Sequence, residues 1–365
     1  MPKHPALTAL SALLLLAPAL GLAQSAQPTA APARVAAVDH DAMKAIRAED
    51  LKRDLTYLAS DELEGRATPS PGQVKAADYL AKAFAELKLK PGGPEGSYFQ
   101  PVKLGGRAAL RDDGKLRVAN VVAMLEGTDP NAGAIVFSAH FDHLGKARKP
   151  NKDGDQIYNG ADDDGSGTVA VLALARAYAA RKERPARSVI FACFTAEEVE
   201  GYGSRAYVAA PPIPMEKTIC DLNLEMLGRT HQVGAKRTWM TGWDYSTLGE
   251  IVARGAKEAG VEVYPDPFPA QDYYTRSDNM SFVMMDVIGH SFSAGSTHPD
   301  YHGVDDEVDR IEFDNLEALV RGIYLGSSLI ATGAETPKPK KESLAPDLPR
   351  RRPPTSKPAG APAKG

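Results

Sequence analysis

Glu197 and Glu198 stand side by side just after the apolar run Ser188-Val-Ile-Phe-Ala-Cys-Phe194. Adjacent carboxylates repel each other, and setting them beside a hydrophobic strand is costly unless something positive neutralises them. At a strand-to-loop turn, one of them can bind a metal while its neighbour stays free to move protons. A solvated acidic turn would explain such a pair in isolation. Four further acid or histidine sites follow the same strand-end pattern.

One is Ile135-Val-Phe-Ser-Ala-His140-Phe-Asp142-His143. In a strand of period two, His140 and Asp142 point to the same side. A metal-binding histidine usually donates its second ring N–H to a carboxylate. His140 is therefore expected as a ligand and Asp142 as its orienting partner, with His143, on the other face, structural. Next comes Asn159-Gly-Ala-Asp162-Asp163-Asp164-Gly165-Ser-Gly167, which runs into the apolar helix Thr168–Arg176. Anions favour a helix N-terminus, so the acids can cap it and still leave one for a metal. Gly165–Ala170 also fits G-x-G-x-x-A, but three aspartates would face the pyrophosphate and no strand clearly precedes the glycines, so dinucleotide binding is excluded.

Cys220-Asp-Leu-Asn-Leu-Glu225-Met-Leu-Gly228 is a strand closing on an acid, and Thr297–Asp306 is a polar loop carrying His298, Tyr301 and His302. In an open α/β sheet, such strand ends converge on one crevice. The convergence implies hydrolysis at a pair of metal ions. Other signatures fail. No H-E-x-x-H is present, and Gly289-His-Ser291-Phe-Ser293 lacks the last glycine of a nucleophile elbow. Asp153-Gly-Asp155 lacks the remaining ligands of a calcium loop.

The elements that must position these residues are legible from periodicity. Leu51, Leu55 and Leu58 recur at helical spacing, and Val74, Ala77, Leu80, Phe84 and Leu87 share the face of a second helix. Pro91-Gly92-Gly93-Pro94 stops the chain after it. Strands are expected at 117–125, 133–139, 188–194, 218–226 and 282–289, and helices at 166–181, 245–259 and 313–331. This alternation predicts an α/β fold, a three-layer α/β/α sandwich with a mixed, largely parallel central sheet.

The chain has 365 residues, 43% of them apolar, and a formal charge of −4, which excludes nucleic acid as the main partner. Met1-Pro-Lys-His and the apolar stretch Ala6–Ala23 read as a signal peptide cleaved after Ala23, so export to the periplasm or beyond is expected. Residues 24–40 read as a disordered linker, 41–332 as a single catalytic domain, and 333–365 as a flexible tail rich in Pro, Lys and Arg. No later segment is long enough to span a bilayer. Cys193 and Cys220 each sit in an apolar strand-like run, where cysteine commonly serves as a small hydrophobe.

In the order His-x-Asp, Gly-Ala-Asp-Asp-Asp-Gly-Ser-Gly, Glu-Glu, strand-end acid and Tyr-His, residues 45–331 resemble the co-catalytic zinc exopeptidases. These include secreted bacterial leucyl aminopeptidases, glutamate carboxypeptidase, glutaminyl cyclase and the transferrin receptor ectodomain. The segment between 87 and 118 leaves no room for a protease-associated insert. The resemblance implies two zinc ions bridged by Asp163, one also held by His140 and Glu225, the other by Glu198 and His302. It implies Glu197 as general base and Tyr301 as donor to the oxyanion. Glu225 stands where the family more often has Asp, and Ser277-Asp278-Asn279 replaces Ser-Asp-His. The Tyr-His pairing favours His302 over His298 as the ligand. The expected activity is that of an aminopeptidase acting on peptides. A carboxypeptidase using Arg237 or Arg276, a cyclase-like acyltransferase and a non-catalytic binding module are the alternatives.

Overall fold

The computed structural model describes residues 39–344. The expected signal peptide, residues 24–38 of the expected linker and residues 345–365 of the expected tail lie outside the described residues. The strands are β1 (Lys90–Pro91), β2 (Phe99–Pro101), β3 (Ala119–Leu125), β4 (Ala134–His140), β5 (Gly145–Lys146), β6 (Ile157–Tyr158), β7 (Ser188–Phe194), β8 (Thr218–Leu224), β9 (Arg237–Met240), β10 (Glu262–Pro265) and β11 (Ile288–Ser293). The helices are α1 (His40–Met43), α2 (Ala48–Leu58), α3 (Pro71–Glu86), α4 (Gly167–Ala179), α5 (Tyr202–Ala209), α6 (Leu248–Ala256), α7 (Asn279–Val283) and α8 (Phe313–Ala331).

A nine-stranded sheet runs in the order β1-β3-β7-β4-β8-β11-β9-β10, with β2 also paired to β3. Its centre, β7-β4-β8-β11, is parallel throughout. The joins β3–β7 and β11–β9 are antiparallel, which makes the sheet mixed. β5 and β6 form a separate ribbon.

Every residue of β4 is buried, as a strand covered on both faces must be, and its one hydroxyl is matched: Ser138 donates to Asp221 at 2.7 Å. Period-two alternation splits the strands between two cores. Ile135, Phe137, Val189, Phe191 and Leu222 face the layer built from α3, α4, α6 and α8. Val136, Ile190, Ala192 and Phe194 face the thinner layer, where Tyr207 of α5 and Phe282 of α7 cover them. The result is the expected three-layer sandwich. α3 begins as its sequence dictates, with Pro71 in the first turn and Ser70 accepting the Gln73 N–H at 3.0 Å.

Four expectations need correction. The stretch 282–289 is not one strand: Phe282 and Val283 end the short helix α7, and the strand starts at Ile288. Among the described residues, β9 and β10 extend the sheet where no strand was expected. Asp39 and His40 belong to the folded body, since Asp39 caps α1 by accepting the Ala42 N–H at 3.0 Å. Residues 335–344 also pack on the body. Arg187 holds the Glu335 carbonyl at 2.7 Å, the Thr247 N–H donates to Lys338, and Leu344 is buried under a hydrogen bond from Tyr274.

Cys193 and Cys220 are both free and buried, on β7 and β8, which β4 separates. Burial pushes both thiols up.

Candidate metal centre

The C-terminal ends of the parallel strands deliver the chemistry. β4 ends on His140, β7 runs into Glu197-Glu198, and β8 runs into Glu225. The aspartate triplet precedes α4, and the loop after β11 brings in Tyr301 and His302. All seven of His140, Asp163, Glu197, Glu198, Glu225, Tyr301 and His302 line one narrow pocket of about 80 Å³.

Asp163 sits in the middle. Its Oδ1 is 3.3 Å from His140 Nε2, and its Oδ2 is 3.1 Å from His302 Nε2. Glu225 Oε1 closes the first group at 3.4 Å from His140 Nε2. Glu198 Oε2 closes the second at 3.4 Å from His302 Nε2. The five expected ligands are thus brought together around a shared carboxylate.

The three aspartates divide the work. Asp162 Oδ1 accepts the Gly228 N–H at 2.7 Å and its Oδ2 lies 3.3 Å from His298 Nε2. Asp164 accepts the N–H groups of His140 at 3.3 Å, Gly167 at 3.1 Å and Met226 at 3.0 Å. Only the middle carboxylate is left to face the pocket. His298 Nε2 lies beside Asp162 and its Nδ1 takes a hydrogen bond from Arg229, so it does not compete with His302.

Two roles differ from those read in the sequence. His140 Nδ1 meets the backbone carbonyl of Asp142 at 3.1 Å, nearer than the Asp142 carboxylate at 3.9 Å. That carboxylate instead accepts the Glu197 N–H at 3.1 Å and the Thr68 hydroxyl at 3.1 Å. His143 is not remote from the site: Nδ1 lies 2.8 Å from Glu198 Oε1 and 3.9 Å from Asp163 Oδ2. β4 stops at His140, so the alternation that put His143 on the opposite face no longer applies.

Nothing in the sequence marks the roles of the other supports. Arg66 is fully buried and donates to the carbonyls of Phe141 (2.7 Å), Leu58 (2.6 Å), Asn159 (2.6 Å) and Gly160 (3.0 Å). Burial lowers its guanidinium to about 10. Asp306 accepts the N–H groups of Asp162 and Asp163, at 3.0 Å each, and burial pushes its carboxyl up to about 7. Ser277 donates to Glu225 Oε2 at 2.5 Å. Asn279, where the resemblance implies a histidine, donates to the carbonyls of Tyr274 at 3.0 Å and Gly289 at 3.4 Å and accepts the Ser291 hydroxyl at 3.1 Å.

The electrostatics favour a cation at this site. Burial raises Glu197 well above the usual carboxylate range, and Asp278, Glu225 and Glu198 push it further. Burial raises Asp164 in the same way, with Glu225 adding to it. Asp163 and Glu198 resist burial because imidazoles beside them hold their carboxyls low. Burial raises the Tyr301 phenol, and Asp163, Glu225 and Glu198 add to it. Asp163 Oδ2 and Glu198 Oε1 are buried without hydrogen-bond partners. Orphaned carboxylate oxygens that converge with imidazole nitrogens fit a divalent ion of zinc's ligand preference. Ser291, by contrast, lies buried within β11 and holds no elbow.

A second, wider cavity of about 730 Å³ adjoins the pocket across Glu197, Arg276 and Ser277. Val208, Met280, Met284 and Met285 supply its apolar wall.

Among known proteins, peptidase family M28 matches residues 120–325. A probable zinc metalloprotease of Leptosphaeria maculans is 31% identical over 171 residues, 44% of this chain and 36% of that protein. The chain spans about a third or less of the length of the curated relatives it matches. The Legionella pneumophila LapA aminopeptidase shares the fold with a TM-score of 0.61 at 20% identity, covering 84% of this chain and 80% of that one. A Porphyromonas gingivalis glutaminyl cyclase does so with a TM-score of 0.59 at 15% identity, covering 76% and 96%.

Proposed function

The chain belongs to peptidase family M28 and is a zinc metallopeptidase, and from that premise we propose that it is an exported, two-zinc aminopeptidase. The observation that carries the two-ion reading is the division of Asp163, whose two oxygens face two different histidines. Asp163 would be shared, His140 and Glu225 would complete one position, and Glu198 and His302 the other. When bound, such ions acidify water to near-neutral pKa and polarise a carbonyl.

The chain's own residues supply the rest. Glu197 would take a proton at its carboxylate as the nucleophile forms and return it to the leaving amine. Its backbone is tethered by Asp142, which limits where that carboxylate can swing. Tyr301 lines the same pocket, and its hydroxyl would donate to the developing oxyanion. Stacked on His302 with ring centroids 4.0 Å apart, it is held in position.

Glu197 in the pocket, with Glu200 and Asp278 in the adjoining cavity, would suit a free ammonium at the substrate's N-terminus. Glu197 borders both cavities, and Asp278, buried with both oxygens unpartnered, lines the wider one. Carboxypeptidase action retains one supporting residue, Arg276, which lines both cavities; Arg237 is engaged with Glu262 at 2.8 Å. The test is metal analysis of the purified protein with an aminoacyl-nitroanilide panel and N-blocked against C-blocked peptides. Cleavage of N-blocked peptides with refusal of C-blocked ones would reverse the assignment.

Export rests on the N-terminal stretch Ala6–Ala23, and mass analysis of the mature protein should find it beginning at Gln24. No helix among the described residues is long and apolar enough to cross a membrane. Residues 39–344 would form the single peptidase domain.

A further inference from the structure

We propose that His143 is a fourth protein ligand of the second zinc position, binding through Nδ1 beside Asp163, Glu198 and His302. The inference rests on the two-ion reading above and adds a residue to it.

His143 is buried, and neither of its ring nitrogens has a hydrogen-bond partner. An imidazole buried in that way is rare, because each unsatisfied polar atom costs free energy. Nδ1 nevertheless lies 2.8 Å from Glu198 Oε1, a hydrogen-bond distance without hydrogen-bond direction. A donor meant for that oxygen would point at it. His140 Nε2 and His302 Nε2 show the same signature, lying 3.1–3.4 Å from ligand oxygens.

The spacing agrees. Nitrogen and oxygen ligands about 2.0–2.1 Å from a zinc ion in tetrahedral arrangement lie about 3.3–3.4 Å apart. His143 Nδ1, with Asp163 Oδ2 at 3.9 Å and Glu198 Oε1 at 2.8 Å, brackets that value. One atom from each of the three residues falls within 4.8 Å of the others. The His143 and His302 rings approach edge to face at 71° with centroids 5.8 Å apart, so the two need not overlap to share an ion.

The ring is also held. The His143 N–H donates to the Arg66 carbonyl, and Gly160 packs so tightly on the ring that a Cβ there would sit 2.5 Å from Cδ2. The second position would then carry four protein ligands and the first three. Closed sites of four protein ligands are structural, and sites of three keep a place for water or substrate. This arrangement assigns retention of metal to one position and exchange to the other.

Two measurements decide it. A crystal structure of the full-length zinc-loaded protein, with zinc located by anomalous scattering, should place Nδ1 about 2.0–2.1 Å from the second ion. An Nδ1–zinc separation beyond about 2.8 Å, as for a ring that only contacts Glu198, overturns the proposal. Zinc titration gives the companion readout. Wild type should take two ions, while His143→Gln and His143→Asn keep the first unchanged and bind the second at least ~10–100-fold more weakly. Unchanged affinity for the second ion in a folded variant also overturns it. Wild type binding one ion with His302 unliganded defeats the two-ion reading itself, a result distinct from loss of His143 alone.

Discussion

Asp142 holds Glu197 by the backbone: its carboxylate accepts the Glu197 N–H at 3.1 Å while its own carbonyl meets His140 Nδ1 at 3.1 Å. One residue therefore orients His140, a proposed metal ligand, with its main chain and Glu197, the proposed general base, with its side chain. Burial holds the Asp142 carboxyl up at about 7, and Thr68 steadies it from the other side.

Asp142→Ala should lower kcat by about 10–100-fold while leaving zinc content and KM near wild type, because the base loses its tether and the ligands do not. Steady-state kinetics beside metal analysis checks this. A large loss of zinc would place Asp142 among the metal's supports instead.

Glu197→Gln removes the proton acceptor and keeps the shape. Activity should fall by at least about 100-fold with nearly normal zinc. A variant with full turnover would remove Glu197 from the base role.

Removing zinc with a chelator should abolish activity and lower Tm, since Glu197, Glu198, Asp163 and Glu225 are crowded into one pocket where Arg276 supplies a single guanidinium against four carboxylates. Added zinc should restore both. Scanning calorimetry before and after reconstitution measures it, and an unchanged Tm would mean the imidazoles suffice to neutralise the acids.

Arg66→Met leaves four buried carbonyls without their donor. A destabilisation of about 4 kcal/mol is expected in urea unfolding. A change below about 1 kcal/mol would show that other donors take over.

His290 gives a pH prediction away from the metals. Burial lowers its pKa from 6.5 to about 3, with Lys340 adding to the effect, while its Nε2 meets Ser246 Oγ at 2.8 Å and Tyr274 stacks on its ring. Below pH 6.5 the unfolded chain takes up a proton that the native ring refuses until about 3. Stability from this group is complete above 6.5 and is lost as pH falls, by about 1.4 kcal/mol per unit. His290→Gln should be less stable at pH 7 yet show a shallower decline between pH 6 and 4. Equal slopes in urea titrations of the two proteins would contradict this.

The metal-facing residues were legible because strand ends announce themselves: a period-two apolar run closing on His140, Glu197 or Glu225 leaves the acid nowhere to go but the crevice. Asp163 needed the resemblance, since nothing in three adjacent aspartates says which one faces inward. His143 was misread because alternation was carried past the end of β4 into a loop. Arg66 and Ser277 act through contacts 75 and 52 positions away in the chain, and no local pattern marks such partners. The run 282–289 failed for a related reason, because a one-turn helix and a strand start lie on either side of Asp286, a single polar residue in an otherwise apolar stretch.

The reach of Arg66 and Thr68 into the site means that the catalytic apparatus begins well before residue 120, where the family's shared segment starts. Leu55 of α2 likewise packs against Gly165, beside the triplet. A recombinant fragment trimmed to the shared segment would contain every metal-facing side chain and still lack the clamp that sets their spacing. The early helices are part of the machine rather than its housing.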